Sequence, residues 1–475
     1  MADYYAGIDL GTTATKAVVF NQQGDVLYQV SQEYPMFHPQ PEWSTQNPQD
    51  LLKATNDCIV DILSRFDLCF ISFSAAMQSL ILVDENHQAL TDCMIWADNR
   101  AADIADKLKH TTTGQRFYDI TGIPIHSFSP MTKIAWLKEH EPALLASAHK
   151  LISAKEYIWY HLTHEYTIDT TLASGTGLID IHSLQWSEEI LNYLSIQKTQ
   201  LSIIVKSTHR AYCKQYGLEL VSGGGDGILA NLGSGAITPD KMALTIGTSG
   251  AVRVVSSQPF IDSQMRTQCY HLFNTEYLKL GAVNNGAVVL QWLKNNILES
   301  SASYHELFEK AEQVPVGSEG LLFVPYILGE RAPIWDAKAK GIMIGLDMQH
   351  TQGHIIRASM EGILFGLRQI AEVLVPQKEI LSNMTLMVSG GFAKSNFWLQ
   401  MTADIFQMKV EVSNTIESSA WGAVLFGFKS FEIEFQNDIE NELTFYPNTE
   451  YSLVYQQGFE RFKNVYKQFQ NIALV

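Results

Sequence analysis

Residues 8–19 and 244–255 align at a constant offset without a gap. Each segment runs from an apolar strand through a turn of glycine and hydroxyl residues into a β-branched strand, with Gly11-Thr12-Thr13 in the first turn and Gly247-Thr248-Ser249-Gly250 in the second. A strand–turn–strand unit repeated at a domain-scale interval predicts a diverged duplication, two domains alike in shape. They are not expected to be alike in role. Asp9 aligns with Thr245 and Lys16 with Val252, so only the first copy keeps a charged pair.

The first copy continues as a meander, with a turn at Asn21-Gln22-Gln23-Gly24-Asp25 and a third strand over 26–32. Residues 47–66 read as a helix with an Asn47 cap and Pro48 in its first turn. Strands are expected over 68–73 and 80–83 and a helix over 358–375, which makes the fold class mixed α/β. The domain boundary is placed at Thr238-Pro239-Asp240-Lys241, giving domains 1–240 and 241–475, and from Phe431 onward the chain reads as a mildly amphipathic tail without a motif.

At 475 residues and 46% apolar, the chain can bury a large core. A formal charge of -17 repels phosphate backbones and anionic membrane surfaces, which excludes a non-specific nucleic-acid binder and requires local cations for any anionic substrate. The five cysteines, Cys58, Cys69, Cys93, Cys213 and Cys269, are scattered and never form CxxC, which disfavours a disulfide framework or a zinc site and fits a reducing cytoplasm. Met1-Ala2-Asp3-Tyr4-Tyr5 lacks the basic and apolar regions of a leader, and no apolar run reaches the roughly 18 residues of a membrane span. A soluble, cytoplasmic protein is expected.

Both glycine–hydroxyl turns can form backbone concavities for phosphate, although ordinary hairpin turns have the same composition. Asp9, inside an apolar strand, calls for a partner, Mg²⁺ with its waters, Lys16, or both together. Gly223-Gly224-Gly225-Asp226-Gly227 flanks one acid with four glycines, removing bulk so that a substrate can approach a carboxylate base. A linker with a turn aspartate reads the same way. Ser389-Gly390-Gly391 lies between a strand and a helix start, where a nucleotide can lie or where a plain connection suffices. Neither GxGxxG nor a P-loop motif occurs. Trp96-Ala97-Asp98-Asn99-Arg100, with Gln78, offers an aromatic wall, hydrogen-bonding groups and a cation to a polyol, or else starts a surface helix with Asp98 as cap and Asn99 and Arg100 solvated. Glu330 and Arg331 read as a structural ion pair.

Taken together these residues resemble the FGGY carbohydrate kinases, from Asp9 to about Gly427. Phe128-Ser129-Pro130-Met131-Thr132-Lys133-Ile134-Ala135-Trp136-Leu137-Lys138-Glu139-His140 is similar to the first family signature. Gly341-Ile342-Met343-Ile344-Gly345-Leu346, followed by His354-Ile355-Ile356-Arg357-Ala358-Ser359-Met360-Glu361, is similar to the second. The resemblance implies two actin-like (ribonuclease H-like) domains with an interdomain nucleotide cleft, ATP and Mg²⁺ as cofactors, and Asp226 as the base. It implies phosphate contacts at Gly11, Thr12, Thr13, Lys16, Gly247, Thr248 and Ser249, nucleoside contacts at Asn285, Gly286, Gly390, Gly391 and Asn396, and metal at Asp9 and Asp226. Sugar contacts fall on Gln78, Trp96, Asp98, Asn99, Arg100 and Asp226, and a homodimer is expected. Within the family, Ser72 to Met77, Trp96 to Arg100, Ala173 to Leu178, Asn284-Asn285-Gly286 and Gly329 to Pro333 are similar to gluconate kinases, and xylulose kinases share part of this. Gln78 stands where histidine is usual in these kinases, and a glutamine cannot become cationic.

Overall fold

The computed structural model describes residues 4–413, 417–435 and 441–469. The chain forms two compact units: Met1–Gly235 with Ser256–Leu278 and Thr415–Asp438, and Ala236–Val255 with Lys279–Asn414 and Ile439–Val475. The first crossing, at Gly235, lies close to the sequence boundary, but the chain returns twice to the first unit, so neither unit is one continuous stretch.

The first unit is built on six strands, β1 (Tyr4–Leu10), β2 (Ala14–Phe20), β3 (Val26–Glu33), β4 (Leu68–Ala75), β5 (Arg210–Cys213) and β6 (Leu218–Gly225), in the order β5–β6–β4–β1–β2–β3. The turn between β2 and β3 is held by Asn21, whose Oδ1 accepts from the N–H groups of Gln23 and Asp25, while Gly24 takes φ 91°. Asn47 caps the helix Pro48–Leu63 by accepting from the Gln49 N–H, as its sequence requires.

The second unit repeats the arrangement with β7 (Lys241–Ile246), β8 (Gly250–Ser256), β9 (Glu276–Val283), β10 (Thr385–Ser389), β11 (Lys409–Ser413) and β12 (Asn441–Phe445), in the order β12–β11–β10–β7–β8–β9. Five strands correspond, β6–β4–β1–β2–β3 with β11–β10–β7–β8–β9; the edge strands differ, because β5 precedes β6 in the chain whereas β12 follows β11, and the second sheet, of seven strands, runs one further beyond β9. In both, the opening strand pairs antiparallel with the next (β1 with β2, β7 with β8) and parallel with one much later in sequence (β4 and β10). The duplication seen in one hairpin therefore extends over five strands of each sheet.

The gapless alignment ends at the turn. Leu10 pairs with Thr15, leaving a four-residue loop, whereas Ile246 pairs with Gly250 and leaves three. The ladder partner of Thr245 is thus Ala251, not Val252, although Lys16 faces Asp9.

The segment after Phe431 is more than a tail. Residues 436–440 and 470–475 lie outside the described ones, but the helix Ser452–Phe469 buries Tyr455, Phe459, Phe462 and Val465 at helical spacing. Tyr455, Phe459 and Phe462 pack on Phe365 of the helix Gln352–Leu374, which begins six residues before its expected start at 358. Hydrophobic periodicity was present in this segment; its partner was remote in sequence.

In the first unit the helix Ser418–Phe431 packs backbone to backbone. A Cβ on Gly7 would stand 2.2 Å from the Ala420 carbonyl oxygen, one on Gly233 2.0 Å from that of Ser418, and one on Gly422 2.0 Å from that of Leu229. Gly422→Ala is expected to destabilise the first unit by about 1–3 kcal/mol through overpacking; chemical denaturation is the check, and unchanged stability would refute the close packing.

Candidate functional site

The β6 strand ends in Gly223-Gly224-Gly225, and Asp226 opens the helix Asp226–Gly233, its Oδ1 accepting from the Gly227 N–H at 2.6 Å. The glycines do not leave open space for a ligand, contrary to the sequence reading. A Cβ on Gly223 would lie 1.8 Å from the Phe73 carbonyl oxygen, on Gly224 2.5 Å from Thr171 Oγ1, and on Gly225 2.8 Å from Met77. Gly223 has φ 65° and sits where the β4–β6 register shifts. Protein occupies the room that the missing side chains vacate, and the result is a fixed place for Asp226.

Asp9 lies at the end of β1, with Oδ2 accepting from Ser419 Oγ at 3.0 Å and Oδ1 buried without a hydrogen-bond partner. Burial raises its carboxyl above the usual range. The expected pair with Lys16 does not form, because the Lys16 ammonium donates to both oxygens of Glu417, at 2.8 and 2.9 Å. Glu417, remote in sequence, was not foreseen as its partner. An orphaned buried oxygen on an acid fits a divalent cation, and Mg²⁺ needs few protein carboxylates. Among the described residues no three His, Cys, Asp or Glu side chains cluster as a ligand set for any other metal.

The first turn is joined to the Trp96–Arg100 stretch: the indole Nε1 of Trp96 donates to Thr12 Oγ1 at 3.0 Å, and Gln46 donates to the Thr12 carbonyl at 2.5 Å. Tyr34 donates to the Gly11 carbonyl, and Thr13 is exposed. The rest of the stretch points elsewhere. Asp98 is fully buried and accepts from Arg100 Nε and Nη2 at 2.8 Å each and from the Ser44 N–H. Arg100 stacks on Trp43, its guanidinium carbon 3.7 Å from the ring centroid, so it is not the solvated residue expected of a surface helix start. Asn99, exposed, accepts from Ser127 Oγ. Gln78 adopts φ 68° and donates from Nε2 to the Tyr270 hydroxyl at 2.8 Å.

Lys133 is a residue to which the sequence reading gave no role. Its buried ammonium donates to the carbonyls of Gln78 and Ile95 at 2.7 Å and of Phe128 at 2.9 Å, tying the Gln78 loop to the strand leading into Trp96. Burial pulls this lysine down to about 7. The available signal was a lysine amid Met131, Ile134 and Leu137, apart from the charged Lys138, Glu139 and His140 at the end of the same helix.

In the second unit the turn Gly247-Thr248-Ser249 is packed on Asn285-Gly286. Ala287 and Val288 donate their N–H groups to the carbonyls of Gly247 and Thr248 at 2.8 and 3.2 Å, and a Cβ on Gly286 would meet the Ser249 carbonyl at 2.5 Å. Gly390, at φ 103°, lies against the Ile246 carbonyl. A cavity of 740 Å³ opens here, lined among others by Gly247, Thr248, Gly391, Asn396 and the aromatic Tyr304 and Phe308. Nothing stands within 4 Å of a Cβ on Gly247 or Gly391. This bare, partly aromatic hollow fits a nucleotide. Tyr304 and Phe308 went unremarked in the sequence, although their four-residue spacing places them on one helix face. Thr245, in the place of Asp9, bonds Ser389 Oγ and accepts from Arg253, so the second turn carries no orphaned acid.

Asn285 does not line the cavity. Its Nδ2 donates to the Gly329 carbonyl at 2.7 Å and to Glu330 Oε2 at 2.9 Å. Glu330 also accepts from the N–H groups of Asn284 and Arg331, yet burial pushes its carboxyl up to about 7. Between the ordinary 4.5 and about 7 the folded chain holds this proton longer than the unfolded chain. Its contribution to stability therefore falls as pH rises through that window and levels off above it. Glu330→Gln is expected to remove this slope; denaturation at several pH values would show it, and an identical slope in both proteins would contradict the assignment.

The model of the FGGY family of carbohydrate kinases, N-terminal domain, matches residues 4–233, and that of its C-terminal domain matches 242–431. A gluconokinase of Bacillus subtilis (strain 168) is 39% identical over 90% of this chain and 87% of its own length. A xylulose kinase of the same organism is 30% identical over 98% of this chain and 96% of its own. The crystal structure of gluconate kinase from Lactobacillus acidophilus superimposes with a TM-score of 0.94 at 32% identity, covering 99% of each chain. The sheet order, the actin-like two-domain architecture and both family matches agree: the chain belongs to the FGGY family of carbohydrate kinases.

Proposed function

We propose that this carbohydrate kinase transfers the γ-phosphoryl group of ATP to the 6-hydroxyl of D-gluconate, giving 6-phosphogluconate and ADP. The observation that carries the chemistry is the placing of Asp226 at a rigid strand-to-helix junction in the unit whose Trp96 is bonded to the first glycine turn. The Asp226 carboxylate accepts the hydroxyl proton as the oxygen bonds to phosphorus and the bond to ADP breaks. Gly11, Thr12, Thr13 and Lys16, like Gly247, Thr248 and Ser249, are proposed as phosphate contacts. Gly286, Gly390, Gly391 and Asn396 receive the nucleoside, with Asn285 holding Gly286 in place. Asp9, with Asp226, would hold Mg²⁺, which when bound neutralises developing phosphoryl charge.

Gluconate is favoured by the 39% identity to a gluconokinase against 30% to a xylulose kinase. The second reading is a pentulose such as xylulose, and one observation favours it: Arg100, the cation of the sugar stretch, is already paired with Asp98. In the gluconate reading the acid end is met by neutral donors such as Gln78 and Asn99. Among the described residues no helix is long and apolar enough to cross a membrane, and no disulfide joins the five cysteines. A cytoplasmic location is proposed on family likeness. A homodimer is proposed on family likeness alone.

Asp226→Asn is expected to lower kcat by roughly 10²–10⁴-fold while sugar affinity by calorimetry stays near wild type; normal turnover would exclude Asp226 as base. An ADP-release assay across gluconate, xylulose, ribulose and glycerol should give the highest kcat/KM with gluconate. Turnover of xylulose without turnover of gluconate would select the second reading.

A further inference from the structure

The strand that delivers Asp226 is held at its last residue by a side chain. The β5–β6 ladder ends at Val221, and the Ser222 and Gly223 N–H groups donate on to the His209 and Ser207 carbonyls at 2.9 Å. Beyond it, the Gly225 N–H donates to Thr171 Oγ1 at 2.9 Å, one residue before the base. Gly224 lies flush against the same oxygen, since a Cβ there would be 2.5 Å from it.

The Thr171 hydroxyl is itself fixed. It donates to Asp169 Oδ1, which also accepts from the N–H groups of Thr171 and Leu172 at 3.0 and 3.1 Å. Asp169 Oδ2 accepts from Lys155 Nζ at 2.6 Å, and the two side chains are 0% and 4% exposed. An ionised carboxylate only accepts, so the Thr171 proton must point to Asp169, which leaves the hydroxyl lone pair aimed at Gly225. A buried ion pair is seldom a net gain over apolar packing, and fixing a geometry is the use this one has.

We infer that Thr171, oriented by the buried Lys155–Asp169 pair, is a positioning residue that sets the backbone of Gly225 and hence the reach of Asp226 toward the acceptor hydroxyl. This rests on the reading of Asp226 as the base. Thr171 touches no substrate; its effect passes through the Gly225 N–H. Small displacements of a reacting group are costly in rate, so the effect belongs in kcat and not in binding.

The test uses the full chain with ATP and whichever sugar of the panel it phosphorylates. Thr171→Val, which keeps shape and removes the oxygen, is expected to lower kcat roughly tenfold to a hundredfold with both KM values within about twofold. Thr171→Ser should restore most of the loss. In the Asp226→Asn background, Thr171→Val should reduce the residual rate no further, because the two act as one unit. If Thr171→Val does not fold, Thr171→Cys, with a weakly accepting sulfur, is read the same way. Wild-type kcat in these variants, a loss confined to KM, or full additivity with Asp226→Asn would overturn the inference. An inactive Asp226→Asn beside an unimpaired Thr171→Val refutes the positioning role alone, whereas an active Asp226→Asn refutes the base and this inference with it.

Discussion

The contact between Gly223 and the carbonyl of Phe73 governs the first unit's chemistry. With 1.8 Å between that oxygen and the site of a Cβ, β6 can lie against β4 there only as glycine, and only with the register shift that follows Val221. The shift carries Gly224 onto Thr171 and Gly225 onto Met77, so the strand that ends in Asp226 is seated against the chain leading into Gln78. Lys133 then ties the Gln78 carbonyl to that of Ile95, just before Trp96, and Trp96 reaches Thr12. Asp226, the Trp96–Arg100 stretch and the first glycine turn are thereby parts of one connected scaffold.

The second unit shares the order of five strands without the same charges. Where the first sheet ends a strand in Asp9 with an unpartnered buried oxygen, the second ends one in Thr245, whose hydroxyl is satisfied by Ser389 and Arg253. An orphaned carboxylate is an unfavourable thing to bury and is retained where something binds it. A satisfied hydroxyl asks for nothing further. The second unit instead offers a 740 Å³ hollow with bare glycines and aromatic walls, suited to a nucleotide's flat and extended parts.

Several charges are turned inward. Asp98 with Arg100, Asp169 with Lys155, and Glu361 with Arg357 are buried pairs, and Glu330 is buried among N–H donors. Asp98 and Arg100 fix the loop after Trp96, Asp169 fixes Thr171, Glu330 fixes the Asn284–Asn285 backbone, and Glu361 fixes the Gly317–Ser318 turn. Such groups are legible in a sequence as polar residues, but the side chains that meet lie from 2 residues apart, in Asp98–Arg100, to 45, in Asn285–Glu330, and are chosen by the folded chain.

From the sequence alone came the duplication, the helix capped by Asn47, the mixed α/β class and the family, because each is written in local periodicity, turn chemistry or contiguous motifs. The tertiary structure decided what local pattern cannot: that the hairpin loops differ by one residue, that Lys16 meets Glu417 instead of Asp9, and that the glycines before Asp226 are filled by protein. It also turned the stretch after Phe431 into a core helix against Phe365. The reason is the same in each case. A residue's type states what it needs, whether a counter-charge, a donor or apolar cover, and only the folded chain, bringing residue 16 to residue 417 and residue 171 to residue 225, states what meets that need.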